Sequence, residues 1–143
     1  MLYHTRMTKV RTIGARAILT VVLFVPSMPG FAAIEECQAA FLAEAWVTAL
    51  SECRPVAEQG DAAAQYKLGV LYDQDWGVPL DYAEAARWSI LAAEQGNAPA
   101  QTNLGVLYDY GRGVPRNDAE AARWYAAAAN KGHAEGQHNL GLS

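Results

Sequence analysis

The chain has 143 residues, of which 52% are hydrophobic and 18% are charged, and its formal net charge is −4. This length predicts a single domain with a modest core. Alanine dominates the apolar residues with 28 copies, while valine and isoleucine are sparse. This composition argues against a β-sandwich or a β-barrel and predicts an all-α protein.

The first 32 residues have the pattern of a secretory signal peptide. Four basic residues and no acidic residue precede an apolar run over residues 17–25, and a small-x-small site follows with Gly30 and Ala32. The run is too short to span a bilayer, which needs about 20 residues. We therefore predict cleavage after Ala32 and export to the periplasm or the extracellular space. An uncleaved membrane anchor is the alternative.

Loss of residues 1–32 would leave a strongly acidic chain. All fifteen Asp and Glu residues lie after Ala32, but only seven of the eleven Lys and Arg residues do, which gives residues 33–143 a formal charge of −8. No basic stripe remains to neutralise phosphates or anionic lipids. Nucleic acid is therefore not an expected partner, and no membrane insertion is expected after cleavage.

A 36-residue repeat organises the rest of the chain. Residues 61–96 and 97–132 are identical at 21 of 36 positions without a gap, and residues 133–143 begin a third copy. A fixed period of this size is typical of stacked helical units that cannot bury their apolar faces alone. Each unit is predicted to hold two helices, at about 62–74 and 82–95 in the first copy.

Helix start and stop signals support this division. Asp61 and Asp81 are predicted N-caps, and Glu84 would complete a capping box with Asp81. Gly60 and Gly96 predict left-handed C-caps. The second copy carries the same signals at Asn97, Asn117, Glu120 and Gly132.

Helical angles assign one face of the first helix to the core. The residues on that arc are Ala64, Gln65, Leu68, Gly69, Leu71 and Tyr72. A mid-helix glycine costs about 1 kcal/mol relative to alanine. The recurrence of Gly69 as Gly105 and Gly141 therefore predicts close helix–helix approach. Trp88 and Trp124 lie on the facing stripe of the second helix, and packing is favoured for them over a carbohydrate platform.

The pattern A-x-x-x-L-G-x-x-Y, then G-V-P, A-x-x-W and A-A-x-x-G, resembles the Sel-one-like repeat, a relative of the tetratricopeptide repeat. The resemblance implies an α-solenoid with full repeats over 61–96 and 97–132, a degenerate helical hairpin over 33–60, and a partial repeat over 133–143. One departure is Asp75, where the next copy has Gly111, so a strained left-handed aspartate is expected in that turn.

The two cysteines predict a disulfide. Cys37 and Cys53 lie seven residues before and eight after a break near Glu44 and Ala45, so two antiparallel helices joined there would bring them opposite each other. An exported protein with an even number of cysteines favours the bond. Two buried free thiols are the alternative.

Patterns for catalysis or metal binding are weak. No G-x-S-x-G or S-x-x-K motif occurs. His133 and His138 lack metal-ligand spacing, and the segment from Asp73 to Glu84 has Val78 where a calcium loop needs glycine. We therefore expect no enzyme activity, no metal and no cofactor. The alternatives are a cell-envelope hydrolase or β-lactam-binding protein of the resembled type, and a truncated fragment without a function of its own.

The outer face of the first helices is the predicted binding surface. Its residues differ between the copies apart from one valine, so packing does not dictate them, and first helices line the concave groove of such solenoids. The expected contacts to a protein or peptide are Tyr66, Lys67, Val70, Gln74, Thr102, Asn103, Val106 and Tyr110. The mixture of tyrosine, amide, lysine and valine suits such a partner. Plain solvated surface is the alternative, and the exposed C-terminal partial repeat adds an expectation of fraying or self-association.

Overall fold

The structure, a computed structural model, describes residues 30–142, and these residues form seven α-helices and no strand. The helices are α1 (Phe31–Leu42), α2 (Trp46–Glu58), α3 (Ala62–Asp73), α4 (Tyr82–Glu94), α5 (Ala98–Tyr110), α6 (Asp118–Asn130) and α7 (Ala134–Leu142). The predicted all-α class is confirmed. Residues 1–29, most of the predicted signal peptide, lie outside the described residues, and α1 begins two residues before Ala33, the predicted first residue after cleavage.

The helices stack as a curved solenoid. Each helix packs against the next one in the chain, and α3 also contacts both α1 and α5, while α5 contacts α7. Among the described helices, no contact joins α2 to α4 or α4 to α6. The odd-numbered helices therefore converge and line the concave face, whereas the even-numbered helices diverge on the convex side.

The predicted core face of α3 is confirmed. All six residues of the predicted arc are buried, and Leu68 and Leu71 have no exposed surface. On α4, Ala85 and Trp88 are buried as predicted. In the second copy Ala121 is buried but Trp124 is only partly buried, at the edge of the cluster around Leu104 and Leu107.

The N-caps form as predicted, but the capping boxes form only in part. The Asp81 carboxylate accepts hydrogen bonds from the backbone N–H groups of Ala83 and Glu84. The return bond from Glu84 is not made, because the Asp81 N–H already donates to the carbonyl of Tyr72. Glu84 pairs instead with Arg87 one turn further along α4. Each box is thus replaced by a cap and an ion pair, and the same change occurs at Glu120.

Close helix approach, predicted at Gly69, Gly105 and Gly141, is found at the first two of these mid-helix glycines. A Cβ at Gly69 would lie 2.7 Å from the Ser89 hydroxyl oxygen, and a Cβ at Gly105 would overlap the buried ring of Tyr125. No atom lies within 4 Å of the same position at Gly141. The first two glycines are therefore needed for close packing of α3 on α4 and of α5 on α6.

The disulfide between Cys37 and Cys53 is formed, which confirms the predicted pairing. It joins α1 to α2 with 4.6 Å between the two Cα atoms. Cys53 lies one repeat before Ser89 and two before Tyr125, the side chains that face the crossing glycines. In the first helical pair, the disulfide therefore occupies the place where each later pair has a contact to a glycine.

A recurring glutamine joins each helical pair to the next. Its side-chain amide donates to a carbonyl near the end of the preceding even-numbered helix, in the pairs Gln65–Ala57, Gln101–Ala93 and Gln137–Ala129. Gln65 and Gln101 are buried, whereas Gln137 is exposed. Sequence periodicity places Gln65 among the packing residues, and the structure shows that it also links adjacent repeats by a hydrogen bond.

The strained turn predicts a stabilising substitution. Asp75 has φ 59°, and Gly111 occupies the equivalent position with φ 65°. Because a left-handed conformation costs a non-glycine residue about 1–2 kcal/mol, Asp75→Gly should raise the free energy of unfolding by about 1 kcal/mol in chemical denaturation. Asp75→Ala keeps the strain while removing the carboxylate, so it should give no such gain. Equal stabilisation by both variants would contradict a conformational cause.

Candidate functional site, a groove on the concave face

A groove lies between α3 and α5 on the concave face. Its volume is about 210 Å³, and it extends from the first turn of α7 to the loop after α3. It is lined by Tyr66, Val70, Asp73, Gln74, Trp76, Pro99, Thr102, Asn103, Val106 and Glu135. Six of the eight residues predicted to contact a partner are in this lining.

Two of those six residues also serve the fold. Thr102 is only 3% exposed, and its hydroxyl lies 2.9 Å from Nδ1 of His133, which precedes α7. Asn103 is partly buried and donates a 2.9 Å hydrogen bond to the hydroxyl of Ser89 on α4. Thr102 therefore offers little surface to a partner, and substitutions at either residue would disturb packing as well as the groove.

Lys67 and Tyr110, the other two predicted contacts, are outside the lining. The Lys67 ammonium lies 5.8 Å from the ring centre of Phe41 on α1, and burial lowers the pKa of Lys67, an effect that Asp61 partly opposes. Tyr110 ends α5 with 66% of its surface exposed, and the guanidinium of Arg112 lies 5.1 Å from its ring centre. Neither residue forms a wall of the groove.

The groove is acidic. Asp73, at the end of α3, and Glu135, in the first turn of α7, are its two charged residues, and no Lys, Arg or His lines it within the described part of the chain. Oδ2 of Asp73 accepts a hydrogen bond from the Gln74 amide, whereas Oδ1 is buried and has no hydrogen-bond partner. Burial, reinforced by the charge of Glu135, raises the pKa of Tyr66. The electrostatic environment therefore disfavours a further negative charge.

The loop after α3 contributes Trp76 to the groove. Its ring stacks on that of Trp46 with 4.4 Å between the ring centres, and Trp76 keeps 36% of its surface exposed. One repeat later, the guanidinium of Arg112 lies 5.2 Å from the ring centre of Tyr82. Trp76 is thus held by the start of the preceding even-numbered helix.

Four lining residues, Asp73, Trp76, Pro99 and Glu135, were not among the predicted contacts. Trp76 differs from its counterpart Arg112, but it lies in the loop after α3 rather than on the outer face of a first helix. Asp73 recurs as Asp109, so a comparison of the copies classes it with the packing positions. Among residues 30–142, no three His, Cys, Asp or Glu side chains are grouped so that they could hold a metal ion, and no helix combines the length and apolar character that a membrane span requires.

This architecture defines a repeat protein of the α-solenoid class with a grooved concave face. The family model of the Sel1 repeat matches residues 62–97 and 98–133. The chain therefore belongs to the Sel1 repeat family. No curated protein matches the chain significantly.

Several solved structures share this fold. A Sel1 repeat protein from Oxalobacter formigenes is 35% identical with a TM-score of 0.69, over 79% of this chain and 45% of that one. The protein c5321, described as a protective antigen present in uropathogenic Escherichia coli strains, is 38% identical with a TM-score of 0.72, over 78% of this chain and 25% of that one. The chain thus matches less than half the length of each of these two proteins.

A third similar structure supports the fold alone. Cysteine-rich protein B of Helicobacter pylori is 17% identical with a TM-score of 0.62, and the match covers 78% of this chain and 95% of that one.

Proposed function

We propose that the chain is an exported protein–protein interaction module that binds a peptide or protein segment in the concave groove. Sel1 repeats generally mediate protein–protein interactions. The observation that carries the proposal is the groove itself, most of whose positions differ between the repeats, whereas the buried positions of α3 recur in α5. Tyr66, for example, is replaced by Thr102 one repeat later, whereas Leu68 and Gly69 recur unchanged.

Two features support export. The disulfide between Cys37 and Cys53 is of a kind that persists in oxidising compartments and is rare in the cytosol. The N-terminal pattern of residues 1–32 is that of a secretory signal peptide. The periplasm or the extracellular space is accordingly the proposed location.

The size of the groove sets the expected affinity. A lining of ten residues is far smaller than the 20–30 residues per side of a standard protein interface. We therefore expect a short segment to bind with a dissociation constant on the order of micromolar. Tyr66 is the principal anchor in this proposal because tyrosine offers a large contact area at a low cost in side-chain entropy.

The test compares Tyr66, which lines the groove, with Tyr110, which does not. Tyr66→Ala should weaken binding of a partner peptide by about 1–2 kcal/mol, because it removes a wall of the groove. Tyr110→Ala is the matched control, since Tyr110 is exposed and outside the lining. Isothermal titration calorimetry measures both affinities, and thermal melting confirms that each variant folds.

Tyr66 also packs against the cluster around Leu104, so its replacement could weaken binding by disturbing the fold. A second groove variant, at a residue outside that cluster, separates the two effects. Gln74→Ala changes an exposed groove residue and should also weaken binding. If Tyr66→Ala and Gln74→Ala bind as the unaltered chain does, the groove is not the binding site.

A further inference from the structure

We infer that the segment held in the groove carries a lysine or arginine side chain, which pairs with Asp73 and Glu135 and lies against Trp76. This inference rests on the proposed function and specifies the chemistry of the partner. The groove holds two carboxylates and no basic group among its lining residues. Complementary charge would therefore come from the occupant.

The Asp73 carboxylate is only partly satisfied by hydrogen bonds within the described part of the chain. Its Oδ1 atom is buried without a hydrogen-bond partner, although its other oxygen is bonded to Gln74. A buried polar atom without a partner is unfavourable, and a buried charge is more so. A guanidinium or an ammonium group entering the groove would place an opposite charge beside the Asp73 carboxylate, which lines it.

The second repeat has a basic residue, Arg116, at a position where the first repeat has none. The pKa of Arg116 is raised mainly by its hydrogen bond and ion pair with Asp118, and to a smaller extent by the charge of Asp109, the counterpart of Asp73. The residue at the position of Arg116 in the first repeat is Leu80. The first repeat therefore has no basic residue at the position equivalent to Arg116.

The aromatic and apolar walls fit the rest of a basic side chain. Trp76 is partly exposed and fixed by its stack on Trp46, and cations bind favourably over tryptophan faces. Val70 and Val106 line the groove between the helices and can contact the methylene stem of lysine or arginine. A segment with acidic or phosphorylated residues at this point would instead meet two like charges.

The experiment selects peptides without assuming a sequence. A phage-displayed library of random 12-residue peptides is panned on the purified chain with its disulfide formed. In parallel, it is panned on the double variant Asp73→Asn with Glu135→Gln. The matched control is Glu58→Gln with Glu94→Gln, which removes the same charge from exposed residues on α2 and α4 outside the groove. Circular dichroism and thermal melting verify that all three proteins fold.

The selected peptides should be enriched in lysine or arginine on the unaltered chain and on the control, but not on the groove variant. For a selected peptide, replacing its basic residue by norleucine should weaken binding about tenfold or more, as measured by fluorescence anisotropy. The same replacement should have little effect on binding to the groove variant.

Two other outcomes separate the inference from the proposed function. Peptides that bind the groove without a preferred basic residue, and that compete with one another, would overturn the inference and leave the proposed function standing. If no peptide is enriched, or if the enriched peptides bind Tyr66→Ala and Gln74→Ala unchanged, both the inference and the groove as a binding site are overturned.

Discussion

Removal of the disulfide should lower the free energy of unfolding by about 3 kcal/mol. The bond between Cys37 and Cys53 closes a loop with a sequence separation of 16, and the chain-entropy model gives a stabilisation of this size for such a loop. Both cysteines are buried where α1 meets α2. Because α1 has no helix before it among the described residues, loss of the bond should release α1 first.

The measurement is urea denaturation of the oxidised chain, the reduced chain and the double variant Cys37→Ala with Cys53→Ala. Hydrogen exchange should show the largest loss of protection in α1. Reductant should leave the double variant unchanged, which controls for effects of the reductant elsewhere. Alkylation of the native, unreduced protein should modify neither cysteine, and complete labelling there would contradict the bond.

Gly113→Ala should be the most destabilising glycine substitution, with an expected loss of about 3 kcal/mol or more. Gly113 has φ 71°, and a Cβ there would overlap the backbone carbonyl of Tyr82 at the start of α4. A left-handed conformation costs alanine about 1–2 kcal/mol. The overlap adds to that cost because a helix backbone has to move, which would separate the loop after α5 from the preceding repeat.

Gly132→Ala is the matched control for the conformational part of that cost. Gly132 has φ 77°, but no atom lies within 4 Å of the position of its Cβ. It should therefore lose only about 1–2 kcal/mol. Urea denaturation gives both values, and their difference measures the contact between repeats. Equal losses in the two variants would show that this contact contributes nothing to stability.

The agreement between sequence and fold depends on local signals. The N-caps at Asp61 and Asp81, the left-handed glycines after the helices and the buried arc of α3 all follow from interactions within one helix or one turn. The disulfide was predictable because a short hairpin leaves few ways to arrange Cys37 and Cys53. The capping box at Glu84 was predicted wrongly in detail, because the N–H that it would bind is taken by a carbonyl of the preceding helix.

The groove was only partly predictable because it lies between helices. Periodicity places Thr102 on the outer face of α5, but His133 and α7 cover it in the tertiary structure. The same reasoning places Tyr110 on that face without showing that the groove ends before it. Comparing the copies shows which residues vary, yet it cannot show which neighbours they meet.

The repeat, the helices, the core face and the cysteine pairing were determined by the sequence alone, because each depends on residues that are near one another in the chain or repeat at a fixed period. Only the tertiary structure decided that Asp73, Trp76 and Glu135 share one groove. Those residues come from the end of α3, the loop after it and the first turn of α7, and stacking of three successive units brings them together. It also decided that no basic side chain of the described residues lines that groove, because the placement of Lys and Arg relative to the groove depends on how the helices stack.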